Sequence, residues 1–166
     1  MSASILVVDD EVASGQVLSV RLKLAGFRSS FISSGEQALG ILEGNHVDAV
    51  LSDLKMPGFS GLELLTRIRR DYPSLAFLLL VGRNDAHIGA QAIKDGADDY
   101  LLKPVEAKDV LRNLRRALDR KRVEGEALEL QKRLERTKEG TYGRPAARPT
   151  EMETSGRVGI PVAACG

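Results

Sequence analysis

Val47-Asp48-Ala49-Val50-Leu51-Ser52-Asp53-Leu54-Lys55-Met56-Pro57-Gly58 is the stretch that decides the fold. Val47 to Leu51 is mostly apolar, as suits a strand buried on both faces of a parallel sheet. The run closes on the carboxylate of Asp53. A Met-Pro-Gly turn leads into an amphipathic helix from about Ser60, with Leu62, Leu65 and Ile68 at every third position, and Pro73 breaks it. In an open α/β sheet, ligands bind outside the carboxyl ends of the strands, so Asp53 stands where chemistry is expected. A lone Asp there can equally be a loop cap. Its surroundings decide.

Working outward, the same unit recurs. Ile5 to Val8 predicts a strand closing on Asp9-Asp10-Glu11, followed by a helix from Val12 to Ala25 with Val17, Leu18, Arg21, Leu22 and Leu24 at helical spacing and Gly26 as its stop. Phe27 to Ile32 predicts a short strand, and Ser33-Ser34-Gly35-Glu36 caps a helix to about Glu43. Beyond Pro73, Leu75 to Val81 is a nearly unbroken apolar strand. A weaker helix spans about Asp85 to Lys94, Tyr100-Leu101-Leu102 ends at Lys103-Pro104, and a last helix opens near Glu106. Alternating strands and helices imply right-handed crossovers and a parallel sheet covered on both faces. Five such units fit a flavodoxin-like doubly wound sheet of order 2-1-3-4-5.

In that order the first and third strands are neighbours at the switch point, so Asp9, Asp10 and Asp53 converge in one crevice. Crowded carboxylates need a cation, and all-oxygen ligation suits Mg²⁺ (or Mn²⁺). Lys103 brings a mobile point charge suited to a phosphoryl oxygen. Carboxylate, metal and ammonium together describe a site in which one carboxylate accepts a phosphoryl group.

Ile5–Glu11, Ser52-Asp53-Leu54-Lys55-Met56-Pro57-Gly58 and Gly96-Ala97-Asp98-Asp99-Tyr100-Leu101-Leu102-Lys103-Pro104 resemble the receiver domain of two-component response regulators over residues 1–120. The resemblance implies that Asp53 accepts phosphoryl from a sensor histidine kinase or phosphotransfer protein. It also implies that Asp10, Asp53 and the Lys55 backbone carbonyl ligate the metal and that Asp9 acts through water. Tyr100 matches the aromatic that reports activation, and Pro104 matches a proline that follows a cis peptide bond. One position departs: Val81 stands where receivers carry Thr or Ser. Val is nearly isosteric with Thr but has no donor, so phosphorylation should survive while its transmission to Tyr100 and the fourth helix is in question. Gly82 offers a backbone N–H nearby, and Lys55 and Arg83 flank the path by which water would reach a phosphoryl group. His46 and His87 read as surface residues, and Met56 as packing.

Composition bounds the rest. The 166 residues leave room for one domain and an appendage, with 43% apolar content. A single cysteine, Cys165, makes no internal disulfide, which points to a reducing, cytoplasmic setting, and no membrane segment is expected. Residues 1–104 hold 13 acids against 10 bases, and 105–166 hold 10 acids against 14 bases. That excess does not argue for direct nucleic-acid binding. After a sheet-facing stripe of Val110, Leu111, Leu114, Ala117 and Leu118, helical sequence continues over 121–139. Val123, Ala127, Leu130 and Leu134 stand there at 4-3-4 spacing around Gly125, a short coiled coil through which two copies would pair. Residues 140–166, rich in Gly, Pro, Ala, Thr and Arg, read as a disordered tail. No output domain is recognisable, and the downstream effector is unidentified. A phosphorylation-independent interaction module remains the alternative, with Val81 its support. A haloacid-dehalogenase-like phosphohydrolase is disfavoured, because Lys55 replaces that family's second Asp.

Overall fold

The computed structural model describes residues 2–142. Five strands, β1 (Ser4–Val8), β2 (Arg28–Ile32), β3 (Ala49–Asp53), β4 (Ala76–Val81) and β5 (Asp99–Leu102), form one parallel sheet of order β2-β1-β3-β4-β5. The helices are α1 (Val12–Leu24), α2 (Gly35–Gly44), α3 (Gly61–Asp71), α4 (Ala86–Lys94) and α5 (Ala107–Tyr142), with a single 3₁₀ turn, Arg83–Asp85, before α4. Each crossover lays a helix on one face. Leu18 and Leu22 of α1 and Val110, Leu114 and Ala117 of α5 cover one side. Ala38 and Leu42 of α2, Leu64, Leu65 and Ile68 of α3 and Ala92 of α4 cover the other. β3 and β4 are buried along their whole length, each large apolar side chain contributing roughly 1.5–3 kcal/mol.

Local chemistry sets the helix starts. Ser34 Oγ accepts from Gln37 N–H at 3.2 Å. Ser60 and Glu63 close a reciprocal box at 2.8 and 3.2 Å, satisfying two of the first-turn donors of α3. Gly61 lets that helix lie against the end of β3, because a Cβ there would collide with the Asp53 carbonyl oxygen; its N–H donates to Leu54 O at 2.8 Å.

β3 does end at Asp53 as expected, with Ser52 and Asp53 still paired to Leu79 and Leu80 of β4. Elsewhere the structure differs from what the sequence predicts. In α1, Leu18 and Leu22 are buried together with Gly15 and Ser19, while Val17 and Leu24 face outward at 54% and 83% exposure. α5 passes Gly125 without interruption and reaches Tyr142, beyond the expected end at Glu139. Gly weakens a helix by only about 1 kcal/mol, whereas proline breaks it, and none occurs before Pro145. From residue 143 the expected tail lies outside the described residues. The first of two compact units is Met1–Val123; the second begins at Glu124.

An ionic cluster closes the sheet end remote from Asp53. Asp98 Oδ2 accepts from Arg69 at 2.9 Å and from Phe77 N–H at 2.8 Å, and Lys121 Nζ lies 3.5 Å from Oδ1. Arg69 also donates to Gly96 O and Leu75 O, both at 2.6 Å. α3 and α5 are thereby tied to the β4–β5 end.

Candidate phosphoacceptor site

The ends of β1, β3, β4 and β5 meet at one edge of the sheet. Asp9 follows β1 and is buried, Asp10 beside it is exposed, and Asp53 closes β3 and is buried. One ligand oxygen from each of the three lies within 4.8 Å of the others. Asp9 is oriented by Glu11 N–H, which donates to its Oδ1 at 2.9 Å, and by its own N–H to Ile32 O at 3.2 Å. Burial raises the Asp9 pKa above the usual carboxylate range, with the Asp53 and Asp10 charges adding to the shift; the Glu11 hydrogen bond and Lys103 oppose it.

Lys103, directly after β5, places Nζ 2.6 Å from Asp53 Oδ1. Its backbone N–H donates to Val81 O at 2.7 Å, and Leu54 N–H donates to Leu80 O at 2.9 Å. These two bonds fix Lys103, the end of β4 and the residue after Asp53 in one register. The Lys103–Pro104 peptide bond is cis.

Val81 is fully buried, in a cluster with Leu54, Met56 and Ala92, against which Tyr100 packs. The Tyr100 ring lies on α4 at Gly89, where a Cβ would collide with it. Gly82 is half-buried and Arg83 exposed on the 3₁₀ turn. Lys55, in the loop after Asp53, pairs with Asp85 at 3.0 Å rather than reaching the carboxylate cluster. His46 is exposed and bonds Asp48 at 2.8 Å; His87 is exposed on α4. Among residues the sequence reading passed over, Asp85 as partner of Lys55 carries no sequence signal. Asp98 stands inside the Gly96–Pro104 motif, but its role in the ionic cluster emerges only when Arg69 and Lys121 are brought to it.

The donor set can hold a hard cation: three carboxylates supply oxygens alone, and a positive charge among them would offset both the burial and the neighbouring acid charges that raise Asp9. An ionised carboxylate beside an ammonium is also a competent nucleophile once its negative charge is screened.

The sequence model of the response regulator receiver domain matches residues 5–115. The chain belongs to the response regulator receiver family. It is 34% identical over 137 residues to the C4-dicarboxylate transport transcriptional regulatory protein DctD of Rhizobium meliloti, a match covering 82% of this chain and 30% of that protein. It is 39% identical over 111 residues to the response regulator protein FleR of Pseudomonas aeruginosa, covering 67% and 24%. The receiver thus spans under a third of either relative. Among solved structures, a receiver domain protein of Clostridium thermocellum is similar with a TM-score of 0.70 and 36% identity, covering 73% of this chain and 98% of that one. NtrX of Brucella abortus is similar with a TM-score of 0.75 and 29% identity, over 78% and 30%. Receivers of this family signal by phosphorylation and carry no dedicated enzymatic activity. Among the described residues, no helix is long and apolar enough to cross a membrane.

Proposed function

We propose that this receiver takes a phosphoryl group on Asp53 from a phosphohistidine of a sensor histidine kinase or phosphotransfer protein, in a Mg²⁺- or Mn²⁺-dependent reaction in the cytoplasm. The Lys103 ammonium on the Asp53 carboxylate, 2.6 Å away beside two further acids, carries the reading. An Asp53 oxygen attacks phosphorus, the O–P bond forms, the N–P bond breaks, and the imidazole leaves with the electron pair and takes up a proton. Asp10, Asp53 and the Lys55 carbonyl would hold the cation directly and Asp9 through water. When bound, the cation supplies charge neutralisation for the transferring oxygens. Lys103 moves with one phosphoryl oxygen, and Gly82 offers its N–H to another. Hydrolysis of the acyl phosphate is slow and is the only turnover.

A partner's histidine must reach Asp53 from outside the strand ends. A groove of about 1030 Å³ opens there between α1 and the segment after β5, lined by Val17, Leu18, Lys103, Pro104 and Val105. With Val12 and Val20 also exposed on α1, this is the apolar face beside the acceptor. Output passes through Tyr100 and α4 to a downstream effector. The receiver occupies 1–120 and the helical extension 121–139. Val123, Leu130 and Leu134 are exposed on α5 and supply a short coiled-coil seam for a second copy. Fully buried Val81 favours a second reading, an interaction module that works without phosphorylation.

Intact mass after incubation with acetyl phosphate and Mg²⁺ separates the two. A Mg²⁺-dependent adduct absent from Asp53→Asn is expected; no adduct on the unsubstituted protein would favour the second reading.

A further inference from the structure

In this chain the end of β4 offers no hydroxyl, so the acceptor site lacks that link to α4. Across the same opening the structure has an ion pair instead. Lys55 Nζ lies 3.0 Å from Asp85 Oδ2. Lys55 belongs to the loop that leaves Asp53; Asp85 closes the 3₁₀ turn and immediately precedes α4. Lys55 also lines a cleft of about 550 Å³ with Asp10 on one side and Ile88 of α4 on the other.

The two partners are unequal. The Lys55 side chain is 74% exposed and Asp85 only 17%. Lysine is a point charge on a flexible four-carbon stem, whereas Asp85 is short and its backbone N–H is held by Gly82 O at 2.9 Å. When charge changes nearby, the ammonium moves first.

We propose that Lys55 and Asp85 form a charge latch: Asp85 holds the Lys55 ammonium while Asp53 is unmodified, and a phosphoryl group on Asp53 draws it off, freeing the turn that leads into α4. This rests on Asp53 being the phosphoacceptor and goes beyond it by naming a route to α4 that needs no hydroxyl at Val81. Phosphorylation adds about −1.5 to −2 charge two residues from Lys55. An ion pair whose lysine stays largely in solvent favours contact by only about two- to fivefold, so a group of that charge is sufficient to redistribute the ammonium. Asp85 is then left mostly desolvated and without its ammonium partner, and the phosphoryl anion repels it. The two states differ in interaction energy at the turn itself, which is what a population shift requires. The same latch sets the lifetime of the phosphorylated form: an ammonium over the phosphoryl oxygens blocks the path of the attacking water, and Asp85 competes for it. Asp85 is therefore a positioning residue acting through Lys55.

The test compares wild type, Asp85→Asn, Lys55→Gln and the double variant after phosphorylation with acetyl phosphate and Mg²⁺. Adduct decay is timed by intact mass, and backbone amide shifts are read over residues 82–88. Asp85→Asn should lengthen the adduct half-life about two- to fivefold and move the amides of the unphosphorylated protein toward their phosphorylated positions. Lys55→Gln should shorten the half-life, and the double variant should match Lys55→Gln. If Asp85→Asn lengthens the half-life equally in the Lys55→Gln background, or changes neither readout in wild type, the latch is wrong. No adduct on the wild-type protein would overturn the phosphoacceptor reading and the latch with it.

Discussion

Val81→Thr separates phosphoryl chemistry from its transmission. Val81 is fully buried among Leu54, Met56, Ala92 and Tyr100, and Thr matches its shape while adding a hydroxyl. In the unphosphorylated protein that hydroxyl finds no phosphoryl partner, and burying it costs about 1–3 kcal/mol. In the phosphorylated protein it donates to a charged oxygen, a bond worth about 1.5–3 kcal/mol. The difference of differences is therefore about 1.5–3 kcal/mol in favour of the phosphorylated state, roughly a 10- to 150-fold shift. Urea unfolding of wild type and variant, each with Mg²⁺ alone and with Mg²⁺ plus beryllofluoride as phosphoryl mimic, closes the cycle. Amide shifts in α4 give the local readout and should respond more strongly in the variant. A coupling below about 0.5 kcal/mol, the limit of simple additivity, would mean that the position does not face the phosphoryl group or that another group already does this work.

Three further outcomes are expected of the same molecule. Asp98→Ala removes the carboxylate shared by Arg69, Phe77 N–H and Lys121 and should cost about 3–5 kcal/mol by urea titration. Asp98→Asn, whose carbonyl still accepts from Phe77, should cost less. Mg²⁺ at ten times its Kd should stabilise the protein by about 1.4 kcal/mol, and Asp10→Ala should abolish that gain while relieving repulsion in the metal-free form; a melting temperature indifferent to millimolar Mg²⁺ would refute the ligand set. Burial and the neighbouring acids raise the Asp9 pKa in the folded state, so its contribution to stability is present below the unfolded pKa and lost as pH rises through the folded one. Metal-free Asp9→Asn should therefore gain on wild type across the carboxylate range, with the two converging in acid; parallel pH profiles would refute the shift.

The strands and their order were readable because three of them are short, largely apolar runs closing on a charged residue: Val8 before Asp9, Leu51 and Ser52 before Asp53, Leu102 before Lys103. Parallel topology then dictates which ends meet, so the acid cluster followed from order alone. Side-chain partnerships across distant segments did not follow. Lys55 and Asp85 are both ordinary surface-type residues, and only the turn after β4 brings them within 3.0 Å. In α1, spacing alone marked Val17 and Leu24 with the buried face. The sheet instead takes Leu18 and Leu22, with Gly15 admitting Phe31 of β2, since any Cβ there would collide with that ring. The length of α5 was likewise underestimated, because Gly125 and Gly140 weaken a helix without ending it.

Reductive trapping tests the central claim most directly. Borohydride converts an aspartyl phosphate to homoserine, marking the residue that carried the phosphoryl group. After incubation with acetyl phosphate and Mg²⁺, peptide mapping should place homoserine at position 53 alone, with none when Mg²⁺ is omitted. Homoserine at Asp9 or Asp10 instead, or at no position despite a phosphoryl adduct on the intact protein, would contradict the assignment of Asp53 as the acceptor.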